Sequence, residues 1–423
     1  MSQRLADLDR KHVWHPFTPM AEWMASEPLI IERAEGSYLV DTEGRRYLDG
    51  VSSLWVNVHG HRKAAIDEAI REQLERVAHT TLLGLASVPS IELAARLIAV
   101  APEGLTRVFY SDSGSTAVEV ALKVAYQYQR QRGAPERSRF GTLAGAYHGD
   151  TIGSVSLGGM DLFHATYRAL LFESLKVDPQ DLGALDAFFE AHGGELAAFV
   201  MEPLVQGAAG MILQPPGFLR RVRELCDAHD VLLVLDEVAT GFGRTGTLFA
   251  CEQEGVRPDV LCLAKGITGG TLPLAATLFT EAIHDAFLGA PEEARTFFHG
   301  HTYTGNPLAC AAAIASLRLF EEERTLERLQ PKIAQLSRRL EALAARADVV
   351  EVRQRGFMVG IELESSDPLR RRGVRVCAKM RERGVIVRPL GDVVVLMPPL
   401  AISGEELEQL LDVTAWALEE VPA

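Results

Sequence analysis

The stretch VLLVLDEVATGFGRTG occupies residues 231–246. An apolar run ends on two acids, Asp236 and Glu237, and Gly241, Gly243 and Gly246 then spell G-x-G-x-x-G. Taken as a pattern, those glycines mark a dinucleotide-binding turn and a nicotinamide-dependent oxidoreductase. The context rejects that reading. In a dinucleotide fold the first glycine follows its strand directly and a helix opens after the last one. Here two carboxylates and Val-Ala-Thr intervene, and TLFACEQEGVRPD leaves room for two helical turns at most. The acid at the strand's end is the informative residue.

Outward from this stretch the chain alternates. TRVFYS (106–111), LAAFVMEP (196–203), VLLVLDE (231–237), DVLCLAK (259–265) and LAATLFT (274–280) read as strands. STAVEVALKVAYQYQRQ (115–131) and GFLRRVRELCDAH (217–229) read as helices between them. Strands that are apolar on both faces and alternate with helices predict a mostly parallel sheet covered on both sides. After about residue 322 short strands and helices predict a smaller α+β lobe. The fold class is therefore α/β. Residues 1–60 form an arm and strands that join the small lobe, 61–325 the large domain, and 326–423 the C-terminal small domain.

The bulk properties fit that picture. The 423 residues are 47% hydrophobic and 24% charged, ordinary for a globular protein. A formal charge of -14 argues against general nucleic-acid binding, which needs cations to neutralise phosphates. Five scattered cysteines with no C-x-x-C pair suit a reducing compartment. No apolar leader opens the chain and no apolar run reaches membrane-spanning length, so the expectation is a cytoplasmic enzyme.

The chemistry lies at two strand ends. The strand before Asp236 and the strand before Lys265 each finish on a charged residue, and Lys265 runs into the glycine-rich GITGG. Ligands of α/β sheets bind outside the carboxyl ends of strands, and a lysine is costly there unless it has a task. An acid at one end and a lysine at the other are the two anchors of pyridoxal phosphate: the amine forms a Schiff base with the aldehyde, and the carboxylate pairs with the protonated ring nitrogen. A phosphate site is expected where YSDSGSTAVEVALK (110–123) passes from strand to helix, because the N–H groups of a helix N-terminus hold anions.

With these pieces in place, the chain resembles the class III (fold type I) aminotransferases over essentially its whole length. The likeness rests on DSGSTAVEVALK, AGAYHGDT, MEPLVQGAAGM, LDEVATGFGRTG, CLAKGITGG and HGHTYTGNPLACAAA. WHPFTPM, DGVSSLWVNVHGH and IVRPLGDVVVLMPPL carry a narrower likeness, to the branch that aminates 8-amino-7-oxononanoate. The resemblance implies a large domain around a mostly parallel seven-stranded sheet, a small α+β domain, bound pyridoxal phosphate, and a homodimer with active sites at the interface. It implies that Lys265 and Asp236 anchor the cofactor, that Tyr147 and Val238 flank its ring, and that Gly114 and Ser115 cup its phosphate. It gives His148 a supporting place and Thr302 to the neighbouring subunit's phosphate site. Substrate contacts fall to Phe17, Leu54, Trp55, Arg244 near the mouth, Gly300, and Arg388, the partner of an oxo-acid carboxylate. No metal is expected, since His148, His299 and His301 lack a ligand spacing.

Two departures bear on substrate. Many ω-amino acid aminotransferases carry Q-G-E-x-G, whereas this chain has QGAAG with Ala208 at that place. Relatives that take S-adenosylmethionine as donor often have a tyrosine where Phe17 stands and a Trp-Trp pair where Leu54-Trp55 stands. The donor expectation is S-adenosylmethionine, with lysine as the alternative. The rival enzyme is an ω-amino acid transaminase using pyruvate or 2-oxoglutarate.

Overall fold

A computed structural model describes residues 2–159, 165–366, 369 and 371–423. The chain opens with a helix, Ser2–His12, and three short antiparallel strands: β1 (Ile31–Glu35), β2 (Tyr38–Asp41) and β3 (Arg46–Asp49). Next come β4 (Leu105–Ser111), β5 (Arg139–Leu143), β6 (Leu175–Val177) and β7 (Leu196–Met201). A two-stranded hairpin, β8 (Val205–Gln206) and β9 (Ile212–Leu213), precedes β10 (Leu232–Asp236), β11 (Val260–Leu263) and β12 (Ala275–Thr280). The C-terminal part adds β13 (Val349–Arg355), β14 (Met358–Leu363), β15 (Val385–Ile386), β16 (Arg388–Leu390) and β17 (Val393–Leu396).

Seven of these strands make the central sheet, in the order β4-β12-β11-β10-β7-β5-β6. β12 alone runs against its neighbours; the others are parallel. All six residues of β7 and all four of β11 are buried, as a sheet covered on both faces requires. The helix Gly114–Gln131 lies on one face through Ala117, Val118, Val120, Ala121, Val124 and Ala125. Its start is set by a reciprocal cap: Ser113 Oγ accepts from the Thr116 N–H, and the Ser113 N–H donates to Thr116 Oγ1. Phe188, Phe189 and Phe199 fill the other face. The glycine run after β10 leads into a five-residue 3-10 turn, Ala250–Glu254, with no helix to hold a pyrophosphate.

Two four-stranded sheets flank the large one. One is β13-β14-β17-β16. The other joins chain ends, β1-β2-β3-β15, with β15 parallel to β3. All five cysteines are buried and unpaired. Among the described residues no helix is long and apolar enough to cross a membrane.

The tip of the β13–β14 hairpin touches the glycine run directly. Gly356 has φ +60°, and a Cβ there would stand 2.4 Å from the Thr245 carbonyl carbon. The next residue's N–H, on Phe357, donates to the Arg244 carbonyl at 2.8 Å. Gly356→Ala is expected to cost more than about 1 kcal/mol, the conformational penalty alone before the clash. A lowered melting temperature by circular dichroism checks it; an unchanged melt would mean the hairpin tip is free to move.

Candidate active site

A cavity of about 730 Å³ opens at the carboxyl edge of the central sheet. Four strand ends supply its walls. β10 brings Asp236, β11 leads into Lys265, β7 leads into Glu202, and β4 leads to the helix start at Ser113, Gly114 and Ser115. Because β7, β10 and β11 are parallel neighbours, with Leu235 level with both Met201 and Leu261, their polar ends emerge side by side.

Asp236 is almost wholly buried. Its Oδ1 accepts from the Val238 N–H at 3.0 Å, and its Oδ2 lies 2.7 Å from His148 Nδ1. Burial alone would lower the His148 pKa, but the Asp236 hydrogen bond and charge prevail and raise it. The other ring nitrogen, Nε2, is buried without a hydrogen-bond partner. Glu237, one residue on, faces the opposite way. It accepts from the N–H groups of Ala250 (2.7 Å) and Cys251 (2.9 Å) and from Thr240 Oγ1, so it caps the 3-10 turn. Of the two acids that end the strand, one belongs to the cavity and the other to the scaffold.

Lys265 has φ +47°, a left-handed conformation that a side-chain-bearing residue takes only where its surroundings impose it. Burial lowers its pKa; Asp236 and Glu202 oppose that shift and the Arg244 charge adds to it. Val238 and Tyr147 are both walls of the cavity. The Tyr147 hydroxyl donates to Asp150 Oδ2 at 2.8 Å, and burial pushes its pKa upward. Gly114 is needed for packing: a Cβ there would lie 2.5 Å from Val238 Cγ1. Ser115 Oγ lies 2.7 Å from Thr151 Oγ1 and accepts from the Thr151 N–H at 3.0 Å.

Residues 149–151 and 270–274 line the cavity too, and a further part of its wall comes from the N-terminal segment. Trp55 and Val56 line the cavity, with the Trp55 ring centroid 5.2 Å from Lys265 Nζ and its indole N–H buried without a partner. Ser52, Ser53 and Trp55 reach this position with positive φ, each at a cost of about 1–3 kcal/mol.

Five expected contact residues stand outside the walls of this cavity in the single chain: Phe17, Leu54, Gly300, Thr302 and Arg388 are all exposed. Arg388 sits on β16, opposite Val395 of β17. Arg244 corrects the expectation of a residue at the mouth. It is 2% exposed, and its guanidinium donates to the carbonyls of Asn57 (2.6 Å) and Pro398 (2.7 Å). A glycine-flanked arginine reads as a loop residue, yet backbone segments from both chain ends close over it. Several wall residues fall outside the sequence expectation, Glu202 the most consequential among them. Glu202 follows a wholly apolar strand, the same signal that marks Asp236. It accepts from the Gly207 N–H at 3.0 Å through Oε1, while Oε2 is buried without a partner.

Known proteins share this architecture. The family model of the class III aminotransferases matches residues 20–418. The chain is 61% identical to the adenosylmethionine-8-amino-7-oxononanoate aminotransferase of Nitratidesulfovibrio vulgaris, over 98% of this chain and 81% of the relative. Among solved structures, the enzyme of that same name from Methanocaldococcus jannaschii superposes with a TM-score of 0.98 at 44% identity, covering both chains fully. A PLP-bound amine transaminase from an uncultivated Pseudomonas species superposes with a TM-score of 0.92 at 38% identity, over 97% of this chain and 99% of the other. The chain belongs to the class III aminotransferases, enzymes that work with pyridoxal phosphate.

Burial raises the Glu202 pKa from the ordinary 4.5 to about 7. A raised folded-state value means the folded protein holds this proton more tightly than the unfolded chain. The stability it confers is present below about pH 4.5 and lost as pH rises through about 7. Between those limits the cofactor-free melting temperature of Glu202→Gln is expected to fall less steeply with pH than that of the wild type. Parallel curves would show that Glu202 titrates normally.

Proposed function

We propose that this chain transfers an amino group to 8-amino-7-oxononanoate, forming 7,8-diaminononanoate in biotin biosynthesis, with S-adenosylmethionine as the donor. One observation carries the reading: the Lys265 amine, the Asp236 carboxylate and the N-terminus of the helix Gly114–Gln131 meet in one cavity. Those groups fit the aldehyde, ring nitrogen and phosphate of pyridoxal phosphate. The name shared by relatives at 61% and 52% identity supports the substrate, and so does Ala208 in place of a carboxylate in QGAAG.

Bound there, pyridoxal phosphate supplies an aldehyde that carries the amino group and a ring that withdraws electrons from the reacting carbon. Burial lowers the Lys265 pKa and so favours the neutral amine, the form able to take and return a proton at that carbon. Asp236 would hold the positive ring nitrogen, with His148 orienting Asp236 from behind. Val238 and Tyr147, both walls of the cavity, would flank the ring. Backbone N–H groups at Gly114 and Ser115 would receive the phosphate. Arg388 pairs with the carboxylate of the oxo acid through its planar fork.

The working enzyme in this reading is a homodimer in which Thr302 and Gly300 complete the neighbour's site and Phe17 and Leu54 close the substrate entrance. Their exposure in one chain supports it, together with the large apolar side chains of Trp14, Leu83 and Phe298, which are 86%, 90% and 82% exposed.

The test is an assay of the purified protein with pyridoxal phosphate, 8-amino-7-oxononanoate and each donor in turn. Product with S-adenosylmethionine is the expected result. Product with lysine alone would reassign the donor, and product with neither would overturn the substrate reading. Lys265→Ala is expected to lose roughly 10²–10⁴-fold or more in rate and the yellow absorption of bound cofactor with it.

A further inference from the structure

Between Asp49 and Asn57 the backbone follows a course its residues disfavour. Ser52, Ser53 and Trp55 have φ of 52°, 61° and 66°, with Leu54 at -175° between them, and none is glycine. Such strain persists only where the surroundings over-determine it, and it concentrates at functional sites. Two buried groups of opposite charge do the holding here. Asp49, fully buried, accepts from the Ser53 N–H at 2.9 Å and the Ser53 hydroxyl at 2.9 Å, and its Oδ2 lies 2.9 Å from His61 Nε2. A carboxylate only accepts, so that histidine nitrogen carries its proton. From the far end, Arg244 grips the Asn57 carbonyl. The segment between them supplies the wall of the cavity above Lys265, with the Trp55 ring turned toward the Lys265 amine and its indole N–H unpartnered.

We infer that Asp49 is a positioning residue for the amino-group transfer. Through Ser53 and His61 it keeps residues 52–56 in the strained form that sets Trp55 against the substrate before any substrate arrives. Preorganisation of this kind lowers the cost of binding and leaves the proton transfer at Lys265 untouched. Both donor and acceptor pass beneath the same wall, so both depend on it. The inference rests on the proposed cofactor and substrates.

The experiment compares Asp49→Asn, Ser53→Gly and the double variant in the dimeric holoenzyme. Asp49→Asn keeps the volume and removes the charge. It is expected to raise KM for donor and acceptor about tenfold, the worth of one hydrogen bond to a charged group, with kcat changed less than about threefold. Glycine adopts φ near +60° without strain, so Ser53→Gly is expected to suppress the defect and bring the double variant within about threefold of Ser53→Gly alone. A loss confined to kcat, or a KM defect that persists in the double variant, overturns the inference. His61→Gln, which removes one brace and leaves Asp49 in place, is expected to raise KM in the same direction and serves if Asp49→Asn does not fold; an unchanged KM there also counts against it. A second readout does not need turnover. The quenching of Trp55 fluorescence when pyridoxal phosphate is added, defined by subtraction of Trp55→Phe, is expected to weaken in Asp49→Asn. Equal quenching overturns the positioning role, and absent turnover in the wild type overturns the substrate reading while this readout still stands.

Discussion

Burial of β7, β10 and β11 on both faces leaves no place for a charge along their length. Desolvating an unpaired carboxylate or amine inside such a sheet costs far more than one strand can offset. Polar groups therefore appear only where the strands leave the sheet, and all three leave at the same edge because they are parallel. Glu202, Asp236 and Lys265 are brought together by that rule alone. The cavity, the helix N-terminus beside it and the loops that wall it are arranged around this edge.

Three ionisable groups so close in a poorly solvated space set one another's charge. The lysine is pushed toward neutrality by burial, against the pull of two carboxylates. Asp236 has an imidazole at 2.7 Å, and although burial would lower the pKa of that histidine, the Asp236 hydrogen bond and charge raise it. That combination suits a site in which one group must shed a proton and another must stay charged. Arg244 adds a positive charge behind the wall while its hydrogen bonds hold backbone from distant parts of the chain.

Legibility followed locality. Asp236 and Lys265 could be read because an apolar strand ending on a charge is a pattern within eight residues. The helix start beside the cavity was readable for the same reason, as a strand, a serine cap and a long amphipathic helix in immediate succession. Glu202 follows an apolar strand inside MEPLVQ and carries an equal signal. The burial of Arg244 is not legible locally because its partners, Asn57 and Pro398, lie 187 and 154 positions away. Nothing in GFGRTG tells that both would fold over it.

By itself the sequence determined the alternation of strand and helix, the apolar character of the central strands, and the identity of the residues at their ends. These depend on periodicity and on the cost of burying charge, which act over a few residues. Only the tertiary structure decided that β12 runs against the sheet, that β3 pairs with β15 from the far end of the chain, and that Asp236 faces the cavity while Glu237 caps a turn. It also decided that Ser52, Ser53 and Trp55 accept positive φ. Those outcomes are choices among locally similar alternatives, and the energy that selects them comes from packing and hydrogen bonds between segments remote in the chain.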